Sequence, residues 1–291
     1  MKILIIGGTR FFGIPMTRSL LAKGHDITLA TRSGKPFFGS APNLRYTAFD
    51  RTDSGSVKRA EGGAHYDIII DKVAYSSDDV RCLLENITCG RYIQMSTCAV
   101  YTEQHPQIEE TEFKPAEHSL EWRGRTPDYA GGKRLAERAA LEYMDESDCT
   151  FVRYPVVLGV NDYTGRLRFY SEHILSGTPF FCDSLTAGVS YIEETEAGEF
   201  ISYLADHPVS GAVNGCSSGV ISQGDIISRI EELTGKKALL SPDGDPAPYN
   251  GTLSETSYST EKAASAGFNF TDIHSWINNI IDIGINSNRQ K

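Results

Sequence analysis

The sequence predicts an α/β protein built on a doubly wound parallel sheet, with a smaller lobe added after residue 158. Three observations carry this. An apolar run from Ile3 to Ile6 is followed at once by the glycine-rich stretch Gly7-Gly8-Thr9-Arg10-Phe11-Phe12-Gly13, and then by a helical pattern to Lys23. Short apolar runs go on alternating with helix-compatible segments as far as Val157, which is how strands and crossover helices alternate in a parallel sheet. Beyond Gly159 that regularity drops.

The first run, residues 2–6, has no polar alternation, as expected of a strand buried on both faces. Strand, glycine-rich turn and helix together form the context of a dinucleotide site, where backbone N–H groups and a helix N-terminus meet a pyrophosphate. Pro15 suits the first turn of that helix and Gly24 its end. Further strands are expected at 26–30, 44–49, 67–71 and 91–95. They end at Thr31-Arg32-Ser33, Asp50-Arg51, Lys72-Val73-Ala74 and Ser96-Thr97. Those polar ends share the C-terminal edge of the sheet, where ligands bind in such folds. Helices are expected near 54–60 and 76–86.

Residues 102–127 are charged and proline-rich and read as a surface loop, with Glu109, Glu110 and Glu112 solvated and Trp122 partly packed. A helix then starts at Tyr129 and runs to about 146, before a sixth strand over 149–157. The remainder reads as helices at 169–176 and 195–206 and a short returning strand near 211–215. A Ser222-capped helix runs to Leu233, followed by a turn-rich linker over 242–251 and helical stretches at 260–266 and 272–283. Residues 286–291 are polar and read as a frayed end. The division is therefore a dinucleotide-binding domain over 1–158, with the returning strand, and a smaller lobe over most of 159–291.

Tyr129 and Lys133 stand at i and i+4, so they share one helix face. A cation beside a phenol favours the phenolate and lowers a pKa that is about 10 unperturbed, as a general acid/base near neutral pH requires. Gly131 and Gly132 lie inside the same helix, where each glycine costs about 1 kcal/mol relative to alanine; small residues there suggest close approach of another backbone or of a cofactor.

The bulk numbers narrow the function classes. The 291 residues carry a net charge of −10, which disfavours nucleic-acid and anionic-membrane partners and leaves a small molecule as the expected partner. The first apolar run is too short for a signal peptide or a membrane span. The six cysteines are scattered without metal-ligand spacing, so no metal site is expected and a cytoplasmic location is.

With these pieces in place the chain resembles the extended type of the short-chain dehydrogenase/reductase superfamily, the NAD-dependent epimerase/dehydratase family, over residues 2–283. The resemblance implies a Rossmann sheet with a C-terminal substrate-binding lobe. It implies Thr97, Tyr129 and Lys133 as the catalytic set, through Ser96-Thr97-Cys98-Ala99-Val100-Tyr101 and the Tyr-x-x-x-Lys spacing, with Glu137 a common acid one turn on. It places the cofactor against Gly7, Thr9, Arg10, Phe11, Phe12 and Gly13, against Arg32, Ser33, Asp50, Arg51 and Ala74, and against Tyr154-Pro155 over the nicotinamide. It also implies a homodimer through the Tyr129 helix. The implied activity is hydride transfer at a hydroxyl- or keto-bearing carbon of a small molecule such as a sugar or sugar nucleotide.

Three departures matter. Arg10 stands where the family's middle glycine belongs. Cys98-Ala99 replace the Asp-Glu pair of sugar 4,6-dehydratases. The stretch from Gly188 to Ile192 lacks the arginine that grips a substrate diphosphate, leaving Arg166 and Arg168 as stand-ins. The glycine stretch with Asp50-Arg51 and Ile70-Asp71 is also similar to a bacterial and plastid subgroup that includes RNA-binding members, so a nucleotide-regulated, non-catalytic or RNA-binding role is the alternative. For the cofactor, no Asp or Glu lies between Leu29 and Ser40 to hold a ribose 2′-hydroxyl. Arg32 and Ser33 suit a phosphate there, so NADP is favoured over NAD.

Overall fold

The computed structural model describes residues 1–289, with backbone alone over 286–289. The chain runs β1 (Lys2–Ile6), α1 (Gly13–Ala22), β2 (Asp26–Thr31), β3 (Leu44–Ala48), α2 (Ser54–Glu61), β4 (His65–Asp71), α3 (Ser77–Leu84), β5 (Thr88–Met95) and α4 (Tyr129–Ala140). It continues with β6 (Cys149–Arg153), β7 (Val156–Leu158), α5 (Arg166–Ser176), β8 (Phe180–Phe181), β9 (Tyr191–Glu193), α6 (Glu194–Asp206) and β10 (Gly211–Asn214). It closes with α7 (Gln223–Thr234), β11 (Asp245–Pro246), α8 (Glu261–Ser265) and α9 (Ile277–Arg289). The final helix thus runs past the expected start of the frayed end, and positions 290–291 lie outside the described residues.

Seven strands form one parallel sheet in the order β10-β6-β5-β4-β1-β2-β3. The order reverses between β1 and β4, and that switch opens a crevice at the C-terminal strand ends. Side chains alternate across a strand, so β1 feeds two cores. Ile3 and Ile5 pack with Met16 and Leu20 of α1 and Phe200 and Leu204 of α6. Leu4 and Ile6 pack with Val57, Val80 and Leu83 of α2 and α3 and with Ala136, Ala139 and Ala140 of α4. A third core, built round Tyr170, Ile174, Phe180, Tyr191 and Ile226, belongs to the lobe.

The expected sixth strand over 149–157 is broken. Pro155 has no N–H for a ladder, and the chain leaves the sheet at Tyr154-Pro155. β6 pairs with β5 and β10, whereas β7 pairs with β9 in a separate two-stranded sheet. The Tyr154 hydroxyl donates to Ala197 O at 2.6 Å and ties this break to α6. Residues 194–214 return to the main sheet as α6 and β10, so more than a single strand comes back from the lobe.

One other expectation changes. Glu110 is not merely solvated, since its carboxylate accepts from the Asn214 N–H at 2.9 Å. Trp122 is partly packed as expected, 37% exposed, with its ring against Tyr143 and the Arg81 guanidinium. The helix glycines are explained inside one chain. A methyl group at Gly131 would run into the Asp128 carboxylate, and one at Gly132 into the Tyr75 carbonyl. Gly131 thus makes room for a side chain and Gly132 for a backbone, both of the same chain, which removes them as an argument for a homodimer.

Candidate active site

A cleft of ≈ 1340 Å³ opens along the C-terminal strand ends and into the lobe. It is lined by Gly7, Thr9, Arg10, Phe11, Phe12, Arg32, Ser33, Asp50, Arg51, Thr97, Tyr129, Lys133, Tyr154 and Pro155. Two expected residues do not line it. Gly13 is buried, and a Cβ there would stand 2.8 Å from Gly7 O, so it serves the packing of α1 on the turn. Ala74 is fully buried and reaches the site only through its carbonyl, which accepts from Lys133.

The glycine turn is tightly built. Gly7 takes φ +89, and a Cβ there would lie 2.8 Å from Val73 Cγ1. The left-handed residue further along is Phe11, at φ 54, and Arg10 needs no such conformation, so the turn closes without a glycine at position 10. Helix α1 has neither a side-chain cap nor an acid in its first turn, which leaves its positive end available to an anion. A cradle that a Cβ would fill and an uncapped helix start, with Arg10 beside them, fit a dinucleotide pyrophosphate. Lys72, which sequence reasoning passed over, adds to this. Its ammonium donates to Arg10 O at 2.8 Å and lies 3.9 Å from the Phe12 ring centre, and burial pulls its pKa down to about 8. Its place directly after β4 was the available signal.

On the rim, Arg32, Ser33 and Asp50 are exposed. Hydrogen bonds from Thr52 hold the Asp50 carboxyl below its ordinary value, with the nearby Arg32 charge helping. Arg51 departs from its expected role. It is 6% exposed, pairs with Asp71 and donates to Asp79 O at 2.6 Å, so the part of it that lines the cleft belongs to a side chain whose charge braces β4 against α3.

Asp128 caps α4 by accepting from Gly131 N at 2.9 Å, which sets Tyr129 as the first helical residue. Tyr129 keeps 48% of its surface open, and the Thr97 hydroxyl, on the same cleft wall, favours the phenolate. Lys133, one turn on, is 1% exposed. Its ammonium donates to Ala74 O and Met95 O, each at 2.8 Å, and lies 5.9 Å from the Tyr129 ring centre and 4.4 Å from that of Tyr75. The expected lowering of the phenol pKa is not what the protein alone produces. Crowding by the protein pushes Tyr129 up to about 12, against the opposing influence of Thr97 and of the Arg166 charge. Burial brings Lys133 down to about 7. The physical reason is geometric: the Lys133 charge is engaged by two carbonyls and covered by Tyr75.

Behind this set lies a buried network. Arg153 and Glu137 are both 0% exposed and pair at 2.7 Å, and Ser96 donates to the same carboxylate. Arg153 also donates to Glu110 O and Phe113 O, each at 2.9 Å, and to the Tyr101 hydroxyl at 3.1 Å. Tyr75, Tyr163 and Tyr249 also line the cleft and were not anticipated. Tyr249 comes from the segment read as a linker, and its left-handed backbone, φ 73, has no sequence signal.

Comparison with known proteins places the chain. The model of the NAD dependent epimerase/dehydratase family matches residues 3–214. The chain belongs to that family. Solved structures share this epimerase/dehydratase fold. The UDP-glucose 4-epimerase of Thermotoga maritima, determined with UDP-glucose, superposes with a TM-score of 0.73 at 16% identity, over 100% of this chain and 99% of that one. The UDP-glucose 4-epimerase of Thermus thermophilus, determined with NAD, gives 0.70 at 16% identity over 98% and 99%. At such identities the likeness is one of fold. In sequence, the chloroplast stem-loop binding protein of 41 kDa b from Arabidopsis thaliana is 30% identical over 129 residues, which is 39% of this chain and 34% of that protein. The match therefore spans about a third of that relative's length. Among the described residues no helix is long and apolar enough to cross a membrane, and no group of three or more His, Cys, Asp or Glu could hold a metal ion.

Proposed function

We propose that this epimerase/dehydratase-family chain is an NAD(P)-dependent enzyme that moves a hydride at a hydroxyl- or keto-bearing carbon of a small molecule, a sugar derivative being the class its fold relatives suggest. The observation that carries this reading is that Tyr129, Thr97 and Lys133, with Lys133 one turn below Tyr129, line the same cleft as the glycine turn. A bound nicotinamide cofactor would supply the hydride acceptor or donor. Gly7, Thr9, Arg10 and Phe12 would hold its pyrophosphate, together with the start of α1. Tyr129 gives a proton to the substrate oxygen or takes one from it, and Thr97 hydrogen-bonds the same oxygen. In its charged form Lys133 has three donors; two go to Ala74 O and Met95 O and one is left for a cofactor ribose hydroxyl. With its pKa near 12, the resting phenol is protonated and ready to act as an acid toward a carbonyl.

The test is absorbance and mass spectrometry of the purified protein, backed by calorimetric titration with NAD and NADP. A retained oxidised cofactor would favour redox-neutral epimerisation, and an empty site that binds added cofactor would favour a reductase exchanging it each turnover. No binding of either dinucleotide would remove the proposal.

For cofactor choice we favour NADP. Arg32 and Ser33 stand exposed at the rim, where a 2′-phosphate would gain charge-assisted bonds of about 1.5–3 kcal/mol each. NADP should therefore bind at least about tenfold more tightly than NAD, and Arg32→Ala should abolish the difference. Equal affinities in the wild type, or an unchanged ratio in the variant, would assign the site to NAD. A stem-loop binding role is favoured by the name of the Arabidopsis relative and by the motif resemblance to an RNA-binding subgroup given above. The net charge of −10 weighs against it.

A further inference from the structure

Lys133 is buried, yet among the described residues its ammonium has no acid paired to it. The three acids whose charges reach it, Asp71, Glu137 and Asp79, are each engaged elsewhere. Asp71 pairs with Arg51 and accepts from the Tyr92 hydroxyl at 2.9 Å. Glu137 pairs with Arg153. Asp79 pairs with Arg125 at 3.0 Å and accepts from the Tyr75 N–H at 2.7 Å. Arg51 adds a second positive charge close by. A buried charge without a paired acid is costly.

Besides Ala74 O and Met95 O, the ammonium meets the ring of Tyr75. Its nitrogen lies 4.4 Å from the ring centre, well inside the range of about 6 Å over which an aromatic face attracts a cation. That attraction acts on the charge as a whole and takes up none of the three donors. Tyr75 is itself fixed from three sides. Asp79 holds its N–H. Its carbonyl lies so near α4 that a Cβ at Gly132 would stand 2.4 Å from it. The Arg125 guanidinium lies 4.8 Å from its ring centre and is anchored to Asp79 and to Val73 O at 3.1 Å. The ring of Tyr129 is 6.2 Å away, at the same cleft wall. Gly132 thus admits the Tyr75 backbone closely enough for the ring to cover Lys133.

We propose that Tyr75 is a positioning residue for the proton-transfer set: its ring face stands in for a counterion to Lys133 and keeps the ammonium's remaining donor available to a bound dinucleotide. This deepens the function proposed above and rests on it for the dinucleotide, though not for the contact itself. With the ring in place, burial brings Lys133 to about 7. The charged form is present below that value and lost above it, so removing the ring moves the loss to lower pH.

The experiment follows the lysine 13Cε signals of the unliganded protein against pH by NMR, Lys133 being the signal absent from Lys133→Met. Tyr75→Leu should move the Lys133 midpoint down by about one pH unit, and Tyr75→Phe, which keeps the ring, by less than about 0.3. Calorimetric titration with NAD at two pH values gives the consequence. Affinity in Tyr75→Leu should fall about fivefold near pH 7 but only about twofold near pH 6, where the ammonium stays charged in more of the molecules. Tyr75→Phe should stay within about twofold at both. Lys72 titrates near 8 in the same cleft and adds its own fall to all three proteins alike, so the variants are compared with one another. An unmoved Lys133 midpoint in Tyr75→Leu would overturn the proposal. So would a shift in Tyr75→Phe as large as that in Tyr75→Leu, or an equal loss of affinity at both pH values, which would make the ring mere packing. If the midpoint moves as expected but the wild type takes neither NAD nor NADP, the function proposed above falls, and the positioning role with it.

Discussion

Tyr129→Phe should lower turnover by about 10²–10⁴-fold, the usual contribution of a positioned acid or base, while cofactor affinity stays within about twofold. The ring stays and only the hydroxyl goes, so the wall beside Tyr75 and Lys133 is kept. What is lost is the proton. Lys133→Met should damage both turnover and binding, because the ammonium fixes Ala74 O and Met95 O and offers its third donor to the cofactor. Absorbance of the reduced nicotinamide, with the first substrate that turns over, measures the one effect, and calorimetry the other. Near-native turnover in Tyr129→Phe would mean that the phenol is a wall and that another group moves the proton.

The second large effect is on stability. Glu137→Ala should cost about 3–5 kcal/mol, because removing one partner of a fully buried ion pair strands the other charge. A domain's whole stability is about 5–15 kcal/mol, so the variant would unfold at much lower urea. The stranded group, Arg153, also holds Glu110 O, Phe113 O and the Tyr101 hydroxyl. That makes it the joint between β6, the loop after Thr97 and the helix that carries Tyr129. The double variant Glu137→Leu with Arg153→Met should recover part of the loss, since no charge then remains buried, but not the loop carbonyls. Equilibrium urea unfolding checks both. A cost below about 1 kcal/mol for Glu137→Ala would mean that water reaches Arg153 and that the site is less tightly joined than its burial implies.

Much of the sheet was legible because buried parallel strands leave unbroken apolar runs, as from Ile3 to Ile6 and from Ile68 to Ile70. Strand ends then set which residues meet, so Thr97, Arg32 and Asp50 could be placed on one edge before any coordinates. What stayed hidden was what each side chain does once there. Arg51 reads as a free cation until Asp71 and Asp79 are seen beside it. The i, i+4 spacing of Tyr129 and Lys133 gave their shared face but not the two carbonyls that hold the ammonium, so the phenol pKa was read in the wrong direction. An apolar run cannot show that Pro155 sends its second half to another sheet. Tyr249 was invisible because its value lies in a backbone conformation and in partners from distant segments.

The departure at Tyr154-Pro155 and the return through α6 and β10 also bear on how the protein can be divided. A cut after residue 158 would look natural from the sequence. It would strip Phe200, Ile201 and Leu204 from the core shared with Ile3 and Ile5, and it would leave β6 as a bare edge. The excised piece would carry an apolar helix face with nothing to lie on. The two parts are therefore not interchangeable modules. Exchanging the lobe whole would break the shared core, whereas changes confined to the lobe's own loops would leave it intact.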